Sequence, residues 1–515
     1  MSGSPNPSRH NASEKAISAG HSTSVDPSLQ YRVDPEFADH TGRPHPHHHL
    51  ADLPSSGKRF LVRLTGRDRA VLPTYRDSLL SVVLYSWTNA LLVFLPLSWI
   101  SHFLHWHQGI TFAFSFVAIL SLQRLFEFAG EEMAIFCGKS LGDLLVITLD
   151  NAVEITLAVV LLQRCELKLL QSTIVGVVLL HLLLATGASF FSGGARIYEQ
   201  QLNPHATQLN HSLITLGVMT LLIPTAFFNA IRNNPERTAS TAPASGGSEP
   251  VAHAAQGATQ IAAAAFPAVS DETRLVFLKM SRGFAIILLI VYVGTRIYLN
   301  NPPGDNNALT VHPLAPEAVH KAEEEVRNKQ PKLRPLVCVI VLLVTVPLMA
   351  ATAEWLVDTA EYIRHTGNMT EEFFGLVVLP FVSFSADAVM SIVYFLRRSL
   401  SLKADPPELA EGRAIDLSIQ FTLFWMPLLT LIGWWSHKPF SLLFDMFEVA
   451  IALAACFLVN YVTQDAKTNW AEGLIMVAFY FMIALSAWFY PGQYDIRVMA
   501  EACESVLEVI ASGHE

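Results

Sequence analysis

The stretch LGDLLVITLDNAVEITLAVVLL, residues 141–162, is as apolar as a membrane span, yet it carries Asp143, Asp150 and Glu154. Their spacing places all three carboxylates on one face of a helix. A charge at the bilayer centre costs about 2.5–3.5 kcal/mol on insertion scales. A chain that keeps three on one stripe must therefore give them a partner, a proton or water. Asp150 and Glu154 stand at i and i+4, about 5–6 Å apart on a helix, with Asn151 beside them. They cannot both ionise cheaply, so one holds a proton unless a cation sits between them. A hard divalent ion and protons compete for the same oxygens, which is the chemistry of exchange. The competing reading is helix–helix hydrogen bonding by protonated acids.

Other polar groups fall inside apolar runs. Gln171, Ser172 and Thr173 precede His181, which is either a hydrogen-bonded packing group or a proton relay. Pro380 is expected to kink its helix and free a carbonyl near Ser383. Ser383, Asp387 and Ser391 then share one face, offering oxygens opposite Glu154. Asp416 and Gln420 repeat the i, i+4 pairing. Glu354 and Asp358 mark either a mouth or a wet helix end. Oxygen ligands without thiolates favour Ca²⁺, Mn²⁺, Mg²⁺ or Na⁺ over Cu⁺, and Zn²⁺ less. The sequence has no phosphate loop or nucleotide fingerprint, so an ion gradient rather than ATP is the expected driving force. No enzymatic step and no permanently bound cofactor is expected.

The elements that must position these groups are membrane helices. Charged residues make up 15% of the chain and hydrophobic ones 51%, against about 25% charged in soluble domains. Apolar runs of about 20 residues, the length that crosses the hydrocarbon layer, lie near 78–101, 109–129, 141–163, 168–192, 209–230, 279–299, 334–354, 373–396, 414–435, 441–462 and 470–490. The chain reads as an all-α integral membrane protein of about eleven spans. Lys58, Arg59, Arg63, Arg67, Arg69 and Arg76 crowd before the first run and hold the N-terminus in the cytosol, and the odd count puts the C-terminus on the far side. Residues 1–75 read as a disordered tail whose His45–His49 cluster is a low-complexity tract rather than a zinc sensor. The linker TASTAPASGGSEPVAHAAQGATQ is flexible and lumenal. A charged cytosolic linker, 300–333, carries Glu323, Glu324 and Glu325 and divides 78–299 from 334–490; a tail, 491–515, follows.

The two halves echo one another. LDNAVEITLAVVLL superposes on FSADAVMSIVYFLRR with Glu154 over Asp387, and the odd number of spans between them makes the repeats inverted. Substrate sites in such folds lie near the midplane where the repeats meet. Asn368–Met369–Thr370 is a glycosylation sequon in an expected lumenal loop. The five scattered cysteines read as inert buried thiols rather than a disulfide framework. A net charge of −10 argues against a nucleic-acid partner.

From about Ser81 to Pro491 the chain resembles the cation/proton exchangers (CAX) of the calcium/cation antiporter superfamily, especially fungal and plant vacuolar Ca²⁺/H⁺ exchangers. The resemblance rests on GEEMAIFCGKSLGDLLVITLDNAVE, FFSGGARIYEQQLN, FFGLVVLPFVS, SIQFTLFWMP and LVNYVTQDAKTNWAEGLIMVAFYFMIALSAWFYP. It implies eleven spans in inverted repeats and export of cytosolic Ca²⁺ into the vacuole against H⁺, with the endoplasmic reticulum or Golgi as other locations. It also implies that Glu154 and the shorter acid Asp387 are the metal ligands, with Asn151 and Gln420 kept from the family pattern; read from the residues themselves, Asp150, Ser383 and Asp416 complete the oxygen cage and His181 is a candidate proton relay. The motifs depart from the family in places. Asp150 stands where the family has glycine, removing the easy backbone break that exposes carbonyls. Ser383–Ala388 lacks the family's amide and histidine, and Leu180–His181 replaces Ser-Asn. The expected partners are membrane lipids, Ca²⁺ or a related hard cation, and H⁺, in a homo-oligomer or beside a partner exchanger. The altered second motif motivates the alternative, a transport-silent member that regulates an active exchanger.

Overall fold

In lipid a spanning backbone must satisfy its own hydrogen bonds, which leaves apolar runs of this length little choice but helix. The computed structural model describes residues 64, 66, 72–85, 87–137, 139–194, 199–202, 204–232, 269–300, 329–382, 384, 413–500, 503, 505 and 506. Among them, 7 helices are long and apolar enough to cross a membrane, or up to 9 if each of two bent pairs is one span. The first pair is α1 (Tyr75–Leu84) and α2 (Phe94–Phe103), joined through a 3-10 turn at Trp87–Val93. After α3 (Gln108–Cys137), the second pair is α4 (Lys139–Asp150) and α5 (Ala152–Arg164). Then come α6 (Leu167–Gly194), α7 (Pro204–Arg232), α8 (Asp271–Asn300) and α9 (Pro335–Thr366). Helix α10 covers 371–382; α11 (Arg413–Trp435), α12 (Met446–Val462), α13 (Trp470–Phe489) and the short α14 (Tyr494–Ala500) complete the order. The His45–His49 cluster, Glu323–Glu325, Ser383, Asp387 and Ser391 lie outside the described residues.

Helix α6 is the heart of the bundle: 89% of its most apolar window is buried, against 28% for α13 at the rim. Helix α3 packs on α9, α5 on α9, α7 on α12, α8 on α11, and the second half of α6 on α13. Ile290, Leu343, Phe481 and Phe489 stay exposed on the outer faces. In a soluble protein such a belt would be a liability; here it is the surface that meets lipid.

The expected continuous helix through the three carboxylates does not form. It breaks at Asn151 and bends by 48°, so Glu154 sits on a different helix from Asp143 and Asp150. The break needs no glycine. Asn151 adopts φ −84° and ψ 11° and gives its amide Nδ2 to the Ile147 carbonyl at 3.3 Å. The side chain thus adds a second donor to the last regularly paired carbonyl of α4 and competes with continued winding, as Asn does beside a helix backbone.

Three further helices change winding within the membrane. Helices α6, α10 and α11 contain π turns at Leu180–Ala185, Phe374–Val378 and Phe421–Trp425. Pro380, expected as a kink, has no N–H to give to Leu376, and Leu376 lies in the π-wound turn before it.

The loops after α6 and α12 are clasped at one end of the bundle by antiparallel β1 (Gln200–Gln201) and β2 (Lys467–Thr468), with Gln200 opposite Thr468. At the other end the cysteine reading is corrected. Cys165, in a left-handed conformation (φ 63°) just past α5, forms a disulfide with Cys503 beyond α14. Sequence spacing could not reveal it, because 338 residues separate the two. Glu354 and Asp358 belong to this end too and hold Arg164 at 2.7 and 2.6 Å.

Candidate functional site

The break between α4 and α5 gathers buried polar groups from four helices. Asn151 is fully buried and Glu154, in the first turn of α5, is 3% exposed. A helix N-terminus inside the membrane presents N–H groups and the positive end of its dipole, which favours a carboxylate there. From α6, the π turn presents buried His181, with Nε2 3.7 Å from Glu154 Oε1. That is too long for a direct hydrogen bond. His181 Nδ1 and Asn151 Oδ1 are buried without a hydrogen-bond partner among the described residues. The His181 carbonyl accepts from the Thr186 N–H, in the i+5 pairing of the π turn, and from Thr186 Oγ1 at 2.7 Å.

Helix α11 contributes the organiser. Gln420 Oε1 accepts from Asn151 Nδ2 at 2.9 Å, and its Nε2 donates to Thr148 Oγ1 at 2.8 Å and to Tyr292 Oη at 2.9 Å. One buried amide therefore fixes α4, the break and α8 together. Locked in this way, Asn151 keeps its own Oδ1 free to accept. Buried polar networks of this kind rigidify when satisfied and leave the unsatisfied atoms to whatever binds.

The other acids on the stripe have separate partners. Asp150 Oδ2 accepts from Arg413 Nε at 2.9 Å and from Arg413 Nη2, at the first turn of α11. Asp416 Oδ1 accepts from Asn210 Nδ2 at 3.2 Å, on α7. Ser418, between them and Gln420, donates to the Val178 carbonyl at 3.3 Å. The structure thus brings Glu154, Asn151, Gln420 and His181 together and ties Asp150 and Asp416 to neighbouring helices. Among the described residues no three His, Cys, Asp or Glu side chains form a metal cage. Phe384, which stands where the family pattern has an amide, is 5% exposed and packs edge-on against Phe381 at 6.2 Å.

Sequence reasoning did not single out Thr148, Tyr292 or Arg413. Thr148 lay three residues from Asn151 in the same run, but its hydroxyl was indistinguishable from one bonded back to its own helix. Tyr292 and Arg413 could be recognised only once α8 and α11 were packed against the break.

Comparison with known proteins follows the same lines. The family model described as sodium/calcium exchanger protein matches residues 337–489. The vacuolar calcium ion transporter of Schizosaccharomyces pombe is 30% identical over 80% of this chain and 87% of its own length. The vacuolar calcium ion transporter of Cryptococcus neoformans is 29% identical over 82% of this chain and 76% of its own. A Ca²⁺/H⁺ antiporter of Synechocystis is 29% identical over 78% and 96%. Among solved structures, native YfkE superposes with a TM-score of 0.55 at 22% identity, covering 78% of this chain and all of YfkE.

Proposed function

The chain belongs to the cation/proton exchanger family of vacuolar Ca²⁺ transporters, and on that premise we propose that it exchanges Ca²⁺ for H⁺ across the vacuolar membrane. Lumenal acid drives cytosolic Ca²⁺ inward through helices embedded in lipid. The transport-silent alternative draws no support from the relatives, each described as a transporter or antiporter.

In this reading Glu154 is the central oxygen ligand and Asn151 Oδ1 a second. Asp387 and Ser383, which lie outside the described residues, supply oxygens from the second repeat, 334–490. Gln420 positions Asn151 rather than ligating, and His181 receives the proton that Ca²⁺ displaces from Glu154. Asp150 and Asp416 hold α11 against α4 and α7. The observation that carries the reading is the buried Glu154 carboxylate 3.7 Å from the His181 imidazole. A hard cation and a proton would compete there for the same oxygen.

The test is Ca²⁺ uptake into acid-loaded vesicles bearing the protein. Glu154→Gln keeps the shape and removes the charge. An interaction with a charged group is worth about 1.5–3 kcal/mol, so uptake should fall on the order of tenfold or more at limiting Ca²⁺, with the protein still inserted. Undiminished uptake by the Gln variant would remove Glu154 from the site.

A further inference from the structure

A second set of buried charges, at the Cys165 end, takes no part in the chemistry above. The first turns of α6, α10 and α12 meet there. Lys168 Nζ donates to Glu448 Oε1 at 2.9 Å, and Ser172 Oγ donates to the same oxygen at 2.5 Å. Asp445 accepts from Tyr490 Oη at 2.7 Å and from the Gln493 N–H at 2.8 Å. Both acids are fully buried and both have donors. Glu372 is different. It is 2% exposed, and its Oε1 has no hydrogen-bond partner among the described residues. That oxygen lies against Gly492, where a Cβ would come within 1.8 Å of it. Three carboxylates share a single lysine, and the lysine is already engaged by Glu448.

The C-terminal segment closes over this cluster. Tyr490 and Gln493 bond to Asp445, and Asp495 holds Arg232 at 2.7 Å. The Val506 N–H donates to Asp271 at 3.0 Å, and Cys503 is disulfide-linked to Cys165. By the topology derived from the charges, this end faces the lumen. An acid held under this cap with one oxygen lacking a donor, so that a single backbone N–H and a shared lysine are all that favour its anion, is pushed by burial toward its neutral form.

We infer that Glu372 is a proton-binding site at the lumenal end, separate from the Glu154 centre, which takes a proton from the lumen and sets the lumenal pH range over which exchange runs. The inference rests on the Ca²⁺/H⁺ reading for its effect on transport, but not for the protonation itself. Glu372 lies just before the apolar run of α10, and burial pushes its carboxyl up from 4.5 to about 7. Lys168 of α6 opposes that shift, whereas Glu371 of the same turn and Glu448 of α12 reinforce it. Asp445 and Tyr490 complete the surrounding charges, and Glu371 is itself held by Arg364 at 3.4 Å.

The folded state therefore binds this proton more tightly than the unfolded chain. The stability it contributes is fully present below pH 4.5 and is lost as pH rises through about 7.

Two measurements test this on the full-length protein. The first is thermal stability in detergent across that pH range. Glu372→Gln, which mimics the protonated acid, should remove the fall in stability on the way to pH 7. Glu372→Asp, which keeps a carboxyl, should retain a fall. The second is Ca²⁺ uptake into vesicles at constant pH difference while lumenal pH is varied. The Gln variant should match the wild type at acid lumenal pH and lack its limb near pH 7. A stability profile of the Gln variant parallel to the wild type overturns the proton site, whether or not the vesicles transport. A flattened stability profile with an unchanged uptake profile overturns its role in setting the range. Vesicles of the wild type that take up no Ca²⁺ would count against the exchange reading and leave the stability result to decide protonation.

Discussion

At the scale of single residues, Asp150 is the most informative position. Read along the chain it is a natural partner for Glu154, with a charge that adds to the cation site. In three dimensions the helix break separates the two, and Arg413 takes Asp150 instead. Removing one partner of a buried ion pair costs about 3–5 kcal/mol, mainly by leaving the other uncompensated. Arg413 keeps 28% of its side chain exposed against 10% for Asp150, so the lower end of that range applies. Asp150→Asn should therefore destabilise the protein by about 3 kcal/mol in detergent melts. Asp150→Asn with Arg413→Gln should recover most of the loss, because neither charge is then stranded. If the double variant is as unstable as the sum of the singles, the pair is not coupled. Glu154, Asn151 and Gln420 were legible in the sequence because polar residues in apolar runs stand out. Arg413 was not, because a basic residue at a span boundary already has an explanation in the positive-inside rule.

At the scale of elements, hydropathy located the spans but not their winding. A window of apolar residues reports length and cannot distinguish an α turn from a π turn. The π turns of α6 and α11 lie beside His181 and Gln420; such local rewinding recurs at functional sites because it re-aims side chains. The break at Asn151 was also missed, since the family-like glycine was absent and an asparagine can do the same work through its amide. What positions α6 is legible only in space. Its second half crosses α13 with Gly187 and Gly473 facing each other. A Cβ on Gly473 would come within 2.4 Å of the Phe191 N and 2.6 Å of the Gly187 carbonyl oxygen, both backbone atoms that cannot swing aside. Small residues at such crossings let membrane helices pack backbone to backbone. Gly473→Ala should cost about 1–3 kcal/mol, the usual range for overpacking, and lower the melting temperature with the Glu154 site untouched in sequence. An unchanged melt would mean that α13 moves away from α6 without penalty.

At the scale of the whole molecule, the disulfide gives a second, independent argument for which end of the bundle faces the lumen. An exposed disulfide in the cytosol is reduced by the glutathione pool, whereas the lumen of a secretory-pathway compartment lets it persist. Cys503 is exposed, so its bond to Cys165 assigns that end of the bundle to the lumen. The turn after α5 and Cys503, beyond α14, then share one side, in keeping with the expectation from the sequence of an odd number of spans between a cytosolic N-terminal tail and the segment after α13. Exposed Asn368 of the sequon lies in the turn between α9 and α10, next to the Thr370 hydroxyl that donates to Ala487 of α13, and so belongs to the same face. A protease site placed in the Ala/Ser/Gly-rich stretch 238–260 turns this into a measurement. Cleavage there leaves Cys165 on the N-terminal fragment and Cys503 on the C-terminal one. The fragments should migrate together without reductant and separate with it, and Cys503→Ser should separate them in both conditions. Fragments that part without reductant would break the link, and with it the assignment of both ends. Linkage that survives in the Ser variant would shift the bond to a pair joining Cys137 or Cys165 to Cys338 or Cys456, the last two of which are buried in the bundle.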